Sequence, residues 1–171
     1  CDRLYDISLG NGIEAIGSGA FSNCGSIDYI NIPASVIYIG DYAFDGCSEL
    51  ERIVVDVNNS RYYSVDGVLF DREESAIIRC PEGYAESVVA IPEGIARIEY
   101  GAFSRCSNLT EVVIPVGVYY IGQQAFWGCA NLISVNIPET VDSMLSNAFV
   151  ECPNLTVYCD FEARPYNWEE N

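Results

Sequence analysis

The chain has 171 residues, half of them apolar, so a single domain with a substantial core can form. Its 25 acidic and 8 basic residues give a formal net charge of −17. This charge argues against nucleic acid and anionic lipid as partners, because proteins bind both mainly through Lys and Arg. The sequence contains no histidine, the commonest general base and metal ligand, and no apolar run long enough to insert into a membrane.

One phrase, Ile-Gly-x-x-Ala-Phe-x-x-Cys-x-x-Leu, returns along the chain, and residues 121–132 are a complete copy. Its cysteines set the period, since Cys24 to Cys47 and Cys106 to Cys129 are each 23 residues apart. Periods of ~20–50 residues are typical of solenoids, in which each coil packs only on its neighbours. The Ala-Phe-x-x-Cys core of the phrase occurs at 20–24, 43–47, 102–106, 125–129 and 148–152.

Each repeat unit has two halves. The first, Leu-x-x-Ile-x-Ile-Pro, predicts a strand with one buried face, because β-branched and polar residues alternate. Pro33, Pro115 and Pro138 are expected to end these strands, since proline cannot extend a hydrogen-bond ladder. The second half, Val-x-x-Ile-Gly-x-x-Ala-Phe, predicts a short return segment and then a tight turn or single helical turn. Regular helix is therefore expected to be scarce.

Stacking such coils at ~4.8 Å places Ile on Ile and Phe on Phe, which gives a continuous core. We therefore predict a phenylalanine spine along the array. Gly17, Gly40 and Gly122 suit a backbone position with positive φ or close approach. The predicted spine consists of Phe21, Phe44, Phe103, Phe126 and Phe149.

The repeat is irregular at three places. Residues 1–9 match the back half of a unit and are interpreted as a truncated first repeat, as if cut from a longer array. Residues 56–87 are interpreted as one modified coil with a hairpin insertion, because Asp66-Gly67 is a hairpin-turn signal. Within it, residues 76–80 resemble a front strand ended by Pro81. Residues 155–171 are predicted to cap the last coil, so that 1–171 is a single domain.

The eight cysteines are predicted to be buried free thiols rather than ligands or disulfides. Metal binding is disfavoured because no Cys-x-x-Cys pair and no histidine are present. Disulfides are disfavoured because side chains in one column point in parallel, with Cβ atoms near the ~4.8 Å coil spacing. A small apolar thiol fills a core position well.

These phrases resemble the bacterial BspA-type leucine-rich repeat, and the resemblance covers nearly the whole chain. The hairpin segment 64–70 and the tail segment 158–168 also resemble segments that this family carries. The resemblance implies a right-handed leucine-rich-repeat superhelix from a secreted or surface-anchored bacterial protein. Some members act in adhesion to host matrix proteins or to other cells. The family has no catalytic motif, so we expect neither an enzyme nor a cofactor.

The outward side chains of the predicted strands form the candidate binding surface, because tyrosines with polar neighbours are typical of contact surfaces. The segment Arg61-Tyr62-Tyr63, interpreted as the tip of the insertion, is a second candidate. The predicted contact residues are Tyr5, Asp6, Asp28, Tyr29, Asn31, Glu51, Arg52, Val54, Tyr62, Tyr63, Glu111, Val113, Ile133 and Asn136.

The sequence favours a module without catalytic activity that binds a protein or glycan, and the resemblance implies an extracellular or cell-surface location. Host matrix or cell-surface molecules are the expected partners. The alternative is a structural spacer that presents another domain, which uniformly polar faces would favour.

Overall fold

The computed structural model describes Tyr5 and residues 7–159 in full, and residues 167–168 by their backbone. Over these residues the chain is a strand-rich solenoid of about 6 turns without a helix, which confirms the predicted fold class. Its strands are β1 (Ala15–Ile16), β2 (Tyr29–Ile32), β3 (Tyr38–Ile39), β4 (Arg52–Val55), β5 (Tyr62–Val65), β6 (Val68–Asp71), β7 (Ala76–Arg79), β8 (Val88–Ala90), β9 (Arg97–Ile98), β10 (Glu111–Val113), β11 (Tyr120–Ile121), β12 (Ser134–Ile137), β13 (Ser143–Met144), β14 (Thr156–Cys159) and β15 (Asn167–Trp168).

The coils stack through two parallel sheets. We call the sheet built from the first half of each coil the front sheet. It has two pieces, β2–β4 and β8–β10–β12–β14. The second halves form the return sheet, whose pieces are β1–β3 and β5–β6–β7–β9–β11–β13–β15. Both sheets are interrupted at the modified coil.

The front strands bury one face, as their alternating pattern predicts. Ile30 lies opposite Ile53, and Val112 lies between Val89 and Val135, all of them buried. Burying a side chain of this size contributes about 1.5–3 kcal/mol. The expected prolines directly follow or lie just beyond strands β2, β10 and β12.

The Ala-Phe-x-x-Cys segments form tight turns that are themselves stacked. The Phe103 amide donates to the Ala125 carbonyl at 2.7 Å, and the Phe126 amide donates to the Ala148 carbonyl at 2.8 Å. These bonds join each turn to the next coil, so the turns add a third hydrogen-bonded column to the two sheets.

The phenylalanine spine is real but not continuous. Phe103, Phe126 and Phe149 stack at centroid distances of 5.0 Å, and Phe21 stacks on Phe44 at 5.8 Å. The prediction of one spine was wrong between Phe44 and Phe103, because the modified coil has no Ala-Phe-x-x-Cys turn to supply a ring there.

Cysteines of the ladder join adjacent coils. The thiols of Cys47, Cys129 and Cys152 each donate to a phenylalanine carbonyl of the preceding coil at 3.0 Å. Burial raises the pKa of Cys47 to about 11 and that of Cys106 well above its ordinary value. The buried-thiol interpretation is confirmed at five positions, whereas Cys152 is partly exposed, Cys159 is exposed and Cys1 lies outside the described residues. The five are Cys24, Cys47, Cys80, Cys106 and Cys129.

Two of the three repeat glycines are required by close approach rather than by positive φ. A methyl group on Gly40 would lie 2.5 Å from the Ser18 amide nitrogen, and one on Gly122 would lie 2.8 Å from the Tyr100 nitrogen. Gly17 has no such neighbour within 4 Å.

The modified coil is a three-stranded antiparallel meander inserted into the array. Strands β5 and β6 pair across the expected Asp66–Gly67 turn, and β6 pairs with β7. Strand β7 then runs parallel to β9, with Ile77 opposite Ile98. Assigning residues 76–80 to a front strand was therefore wrong, since they lie in the return sheet. A terminal proline ends any strand and cannot identify the sheet.

Strand β6 separates two cores. Leu69 packs with the core of the first coils, whereas Val68 and Phe70 pack with the core of the later coils. All four β6 residues are buried, so the strand lies between the two halves of the solenoid and packs against both, as a wedge.

Side chains, rather than a continuous ladder, join the halves at this wedge, which we call the seam. The Tyr62 hydroxyl accepts from the Ile39 amide at 3.1 Å, and the Ser64 hydroxyl accepts from the Val55 amide at 3.1 Å. Asn59 donates to two carbonyls of the preceding coil. These polar side chains satisfy backbone groups that the interrupted return and front sheets leave without strand partners.

Candidate functional site

We call the outward side of the front sheet the front face. Its residues differ from coil to coil, whereas the inward residues repeat. In the first piece, Tyr29 lies beside Arg52 and Asn31 beside Val54. The Arg52 guanidinium lies 5.7 Å from the centre of the Tyr29 ring, within cation–π range. Packing does not constrain outward positions, so their side chains are free to serve a contact.

In the second piece of the front sheet, Glu111 is flanked by Val88 and Ser134, and Val113 is flanked by Ala90 and Asn136. Apolar side chains are exposed among the polar ones in both pieces of the front sheet. Val54, Val113 and Ile133 are 41%, 46% and 57% exposed.

The structure brings ten of the predicted contact residues together on this face. These residues form two groups, one on each side of the seam. Nine of the ten are exposed, and Tyr29 is half-buried. Tyr5 is exposed in the segment before the first described strand, and Asp6 lies outside the described residues. The ten are Asp28, Tyr29, Asn31, Glu51, Arg52, Val54, Glu111, Val113, Ile133 and Asn136.

The second candidate, Arg61-Tyr62-Tyr63, was wrong in two respects. Tyr62 is 3% exposed, not a surface contact, and the segment starts the hairpin rather than forming its tip. The Tyr63 ring is only half-buried but is packed on Phe70 at 5.1 Å and lies under the Arg72 guanidinium at 4.4 Å. The reason is that these aromatics fill the seam, where the array would otherwise leave a gap.

A cleft at the seam was not predicted. It has a volume of about 290 Å³ and opens where the modified coil lacks its turn. We call it the seam cleft. It is lined by polar and aromatic side chains of three segments, residues 38–45, 61–79 and 97–100. The interval of 59 residues between Cys47 and Cys106 was the available signal, because a coil without the repeat phrase leaves a turn unfilled.

A buried ion pair lies at the missing turn. The Arg79 guanidinium donates to the Glu82 carboxylate at 2.7 Å and to the Gly101 carbonyl at 2.8 Å. The same Glu82 oxygen accepts from the Gly46 amide at 2.7 Å. The pair thus bridges the turns on either side of the gap. Burial raises the pKa of Glu82, partly offset by the attraction of Arg79.

The described part of the chain contains no helical segment with the length and hydrophobicity of a membrane span.

Solved structures with this fold come from bacterial leucine-rich-repeat proteins. A leucine-rich cell surface protein of Faecalibacterium prausnitzii A2-165 is 26% identical, with a TM-score of 0.67 over 95% of this chain and 55% of its own. A leucine-rich-repeat protein of Eubacterium ventriosum ATCC 27560 is 29% identical, with a TM-score of 0.83 over 94% of this chain and 44% of its own.

The pneumococcal vaccine antigen PcpA is 22% identical, with a TM-score of 0.74 over 86% of this chain and 43% of its own, and it shows the fold alone. The chain therefore spans about half the length of these structures. No curated protein sequence matches the chain significantly. The model of the BspA-type leucine-rich repeat region matches residues 1–70 and 84–160 in 6 copies. The chain belongs to the BspA-type leucine-rich-repeat family.

Proposed function

We propose that this chain is a non-catalytic binding module of an extracellular or cell-surface bacterial protein, and that its front face contacts a macromolecular partner. The observation that carries the proposal is the exposure of three apolar side chains on the front face, namely Val54, Val113 and Ile133. The core is formed by the inward side chains of the same strands, so folding does not require these outward residues to be apolar. A uniformly polar face would have favoured a spacer, and this face is mixed. Exposed apolar side chains within a polar rim are typical of contact surfaces.

A protein partner fits the front face better than a small ligand does. The face is an open sheet with two separated groups of contact residues, and small-molecule sites are concave. The net charge of −17 favours a partner with a basic or neutral surface, because like charges repel. The cell surface protein of Faecalibacterium prausnitzii shares the fold, which is consistent with display outside the cell.

The test is binding of the purified chain to a panel of extracellular-matrix proteins and host glycans by biolayer interferometry. We expect that replacing Arg52, Val113 and Ile133 together by alanine weakens binding to the preferred ligand at least tenfold. Loss of apolar contact and of the one arginine in these columns removes the groups that most often carry interface energy.

The matched control is Val116→Ala, which removes an exposed apolar side chain outside the front strands. It should leave the affinity unchanged. Equal affinity of the triple variant and the unmodified chain would exclude the front face. A panel with no binder at all would favour the structural spacer.

A further inference from the structure

The seam cleft is concave, unlike the open front face, and it combines fixed polar groups with exposed aromatic rings. Its volume of about 290 Å³ is at the lower end of the range for ligand pockets, so it fits one compact group rather than a chain. It shares no lining residue with the exposed front-face residues, so it would be a separate site.

The polar groups of the cleft are held rigidly by ion pairs. Arg61 donates to Asp71 at 2.9 Å, and Arg97 donates to Glu99 at 2.5 Å. Asp71 is fixed further, because its other oxygen accepts from the amides of residues 73 and 74. The cleft therefore presents charged groups as preorganised hydrogen-bond donors and acceptors, which cost little entropy to use.

Two tyrosines supply apolar surface at the opening. Tyr38 and Tyr42 are 50% and 51% exposed although both line the cleft. The Tyr42 ring meets Tyr100 at a centroid distance of 4.8 Å and an interplanar angle of 65°. The Tyr100 hydroxyl donates to Gln124, and burial raises the pKa of Tyr100 to about 12. The contact with Tyr100 thus fixes the orientation of the Tyr42 ring.

Arg79, at the inner end of the cleft, has an unsatisfied donor. Its side chain is 9% exposed, and its Nε has no hydrogen-bond partner among the described residues. A buried donor without a partner costs about 1–3 kcal/mol. Nε itself is enclosed by protein, so a small shift of the Arg79 side chain toward the cleft would be needed for a ligand oxygen to remove that penalty.

We propose that the seam cleft binds one neutral sugar residue of a glycan. Sugar hydroxyls both donate and accept, which matches the paired guanidinium and carboxylate groups, and the C–H face of a pyranose packs on a tyrosine ring.

The charges that line the cleft favour a neutral sugar over charged ligands of similar size. Five carboxylates and three arginines line it, so an anionic sugar, sulfate or phosphate would be repelled. A lysine or arginine side chain is disfavoured for a different reason. Asp45, Asp71 and Glu99 each already lie within 4 Å of an arginine of the chain, so a cation would have only Asp41 and Glu74 to pair with. The lysine amide in the experiment below tests whether these two carboxylates suffice.

The experiment uses the chain as given, labelled with ¹⁵N, and titrates N-acetyllactosamine, chitotriose and mannotriose separately. Sialyllactose provides the anionic arm, and N-acetyl-lysine amide provides the cationic arm. We expect at least one neutral sugar to shift the amide signals of residues 38–45 and 97–100 in a saturable manner. Sialyllactose should bind at least tenfold more weakly than the best neutral sugar.

Variants then locate the contact. Tyr38→Ala and Tyr42→Ala should each weaken binding of the neutral sugar at least tenfold. Tyr38→Phe should retain binding, because the ring remains. Tyr158→Ala removes an equally exposed tyrosine from the last front strand and should change nothing. The proposal is overturned if no neutral sugar shifts the cleft signals, or if the lysine amide does so more strongly. Because the titration uses the unmodified chain, it decides the matter even where a variant fails to fold.

Discussion

Asn59 shows how one side chain can replace an interrupted ladder. Its amide nitrogen donates to the carbonyls of Pro33 and Val36, both at 2.9 Å. Its oxygen accepts from the amides of Arg61 and Tyr62 at 3.0 and 2.7 Å. The residue is buried, and three of the four bonds are shielded from water, while the bond from the Arg61 amide is partly buried. The side chain therefore holds the start of the hairpin against the coil before it.

We predict that Asn59→Ala lowers the free energy of unfolding by about 3–5 kcal/mol, because it leaves several buried donors and acceptors without partners at about 1–3 kcal/mol each. Urea denaturation followed by circular dichroism measures the change. The adjacent Asn58→Ala is the control, since Asn58 is exposed and loses only a bond to Asp56. A change below about 1 kcal/mol for Asn59→Ala would show that the seam does not depend on this residue.

The stacked turns are the element that most distinguishes this solenoid. The thiols of Cys47, Cys129 and Cys152 each donate to the carbonyl of a phenylalanine in the preceding coil, whereas the Cys106 thiol donates to the Pro81 carbonyl at the modified coil. Burial raises the pKa of the Cys47 and Cys106 thiols and so favours their neutral form. A raised folded-state pKa means that the contribution of Cys47 to stability is complete below its ordinary value of 9.0. It is lost as the pH rises through about 11.

Thiol labelling tests this element directly. With iodoacetamide at pH 8 and peptide mapping by mass spectrometry, we expect rapid modification of Cys159 and protection of Cys47, Cys106 and Cys129. Cys159 is exposed, whereas the other three are buried and have raised pKa values, and the thiolate is the reactive form.

Labelling in urea is the control, and all the thiols should then react at similar rates. Modification of Cys47 as fast as that of Cys159 in the native protein would contradict its placement in a packed turn column.

At the scale of the whole molecule, charge opposes the packing. With 25 acidic and 8 basic residues, most carboxylates have no basic partner, and self-repulsion acts along the array. The ion pairs that exist are concentrated at the seam, where Arg61, Arg79 and Arg97 account for those of the described residues. Added salt therefore screens the repulsion between the many unpaired carboxylates more than it screens the attraction within the few ion pairs.

We predict that raising the NaCl concentration from 10 to 500 mM increases the Tm by several degrees, because the screening length falls from about 30 Å at 0.01 M to a few ångströms near 1 M. Differential scanning calorimetry measures the shift. KCl at equal ionic strength should give the same increase, which excludes a specific sodium site. A lower Tm in salt would mean that the seam ion pairs outweigh the repulsion.

The regular coils could be predicted closely from sequence because their determinants are local. Alternating Ile and polar residues place one strand face inward, and proline ends the strand whatever its neighbours are. The outward set around Arg52 and Val113 followed from the same alternation, with nine of its ten residues exposed. Contact through this face and the identity of the ligand both remain proposals, because alternation says which side chains face outward and nothing about what they contact.

The chain order and the period by themselves determined the solenoid, the stacked core and the front face, since a repeat that cannot bury its apolar side alone must stack. Only the tertiary structure decided what happens at the seam. There Tyr62 is buried rather than exposed, β7 joins the return sheet, and the missing turn becomes a cleft held by Arg79 and Glu82. Those outcomes depend on contacts between residues that are far apart in sequence and belong to no repeat, so no local pattern encodes them.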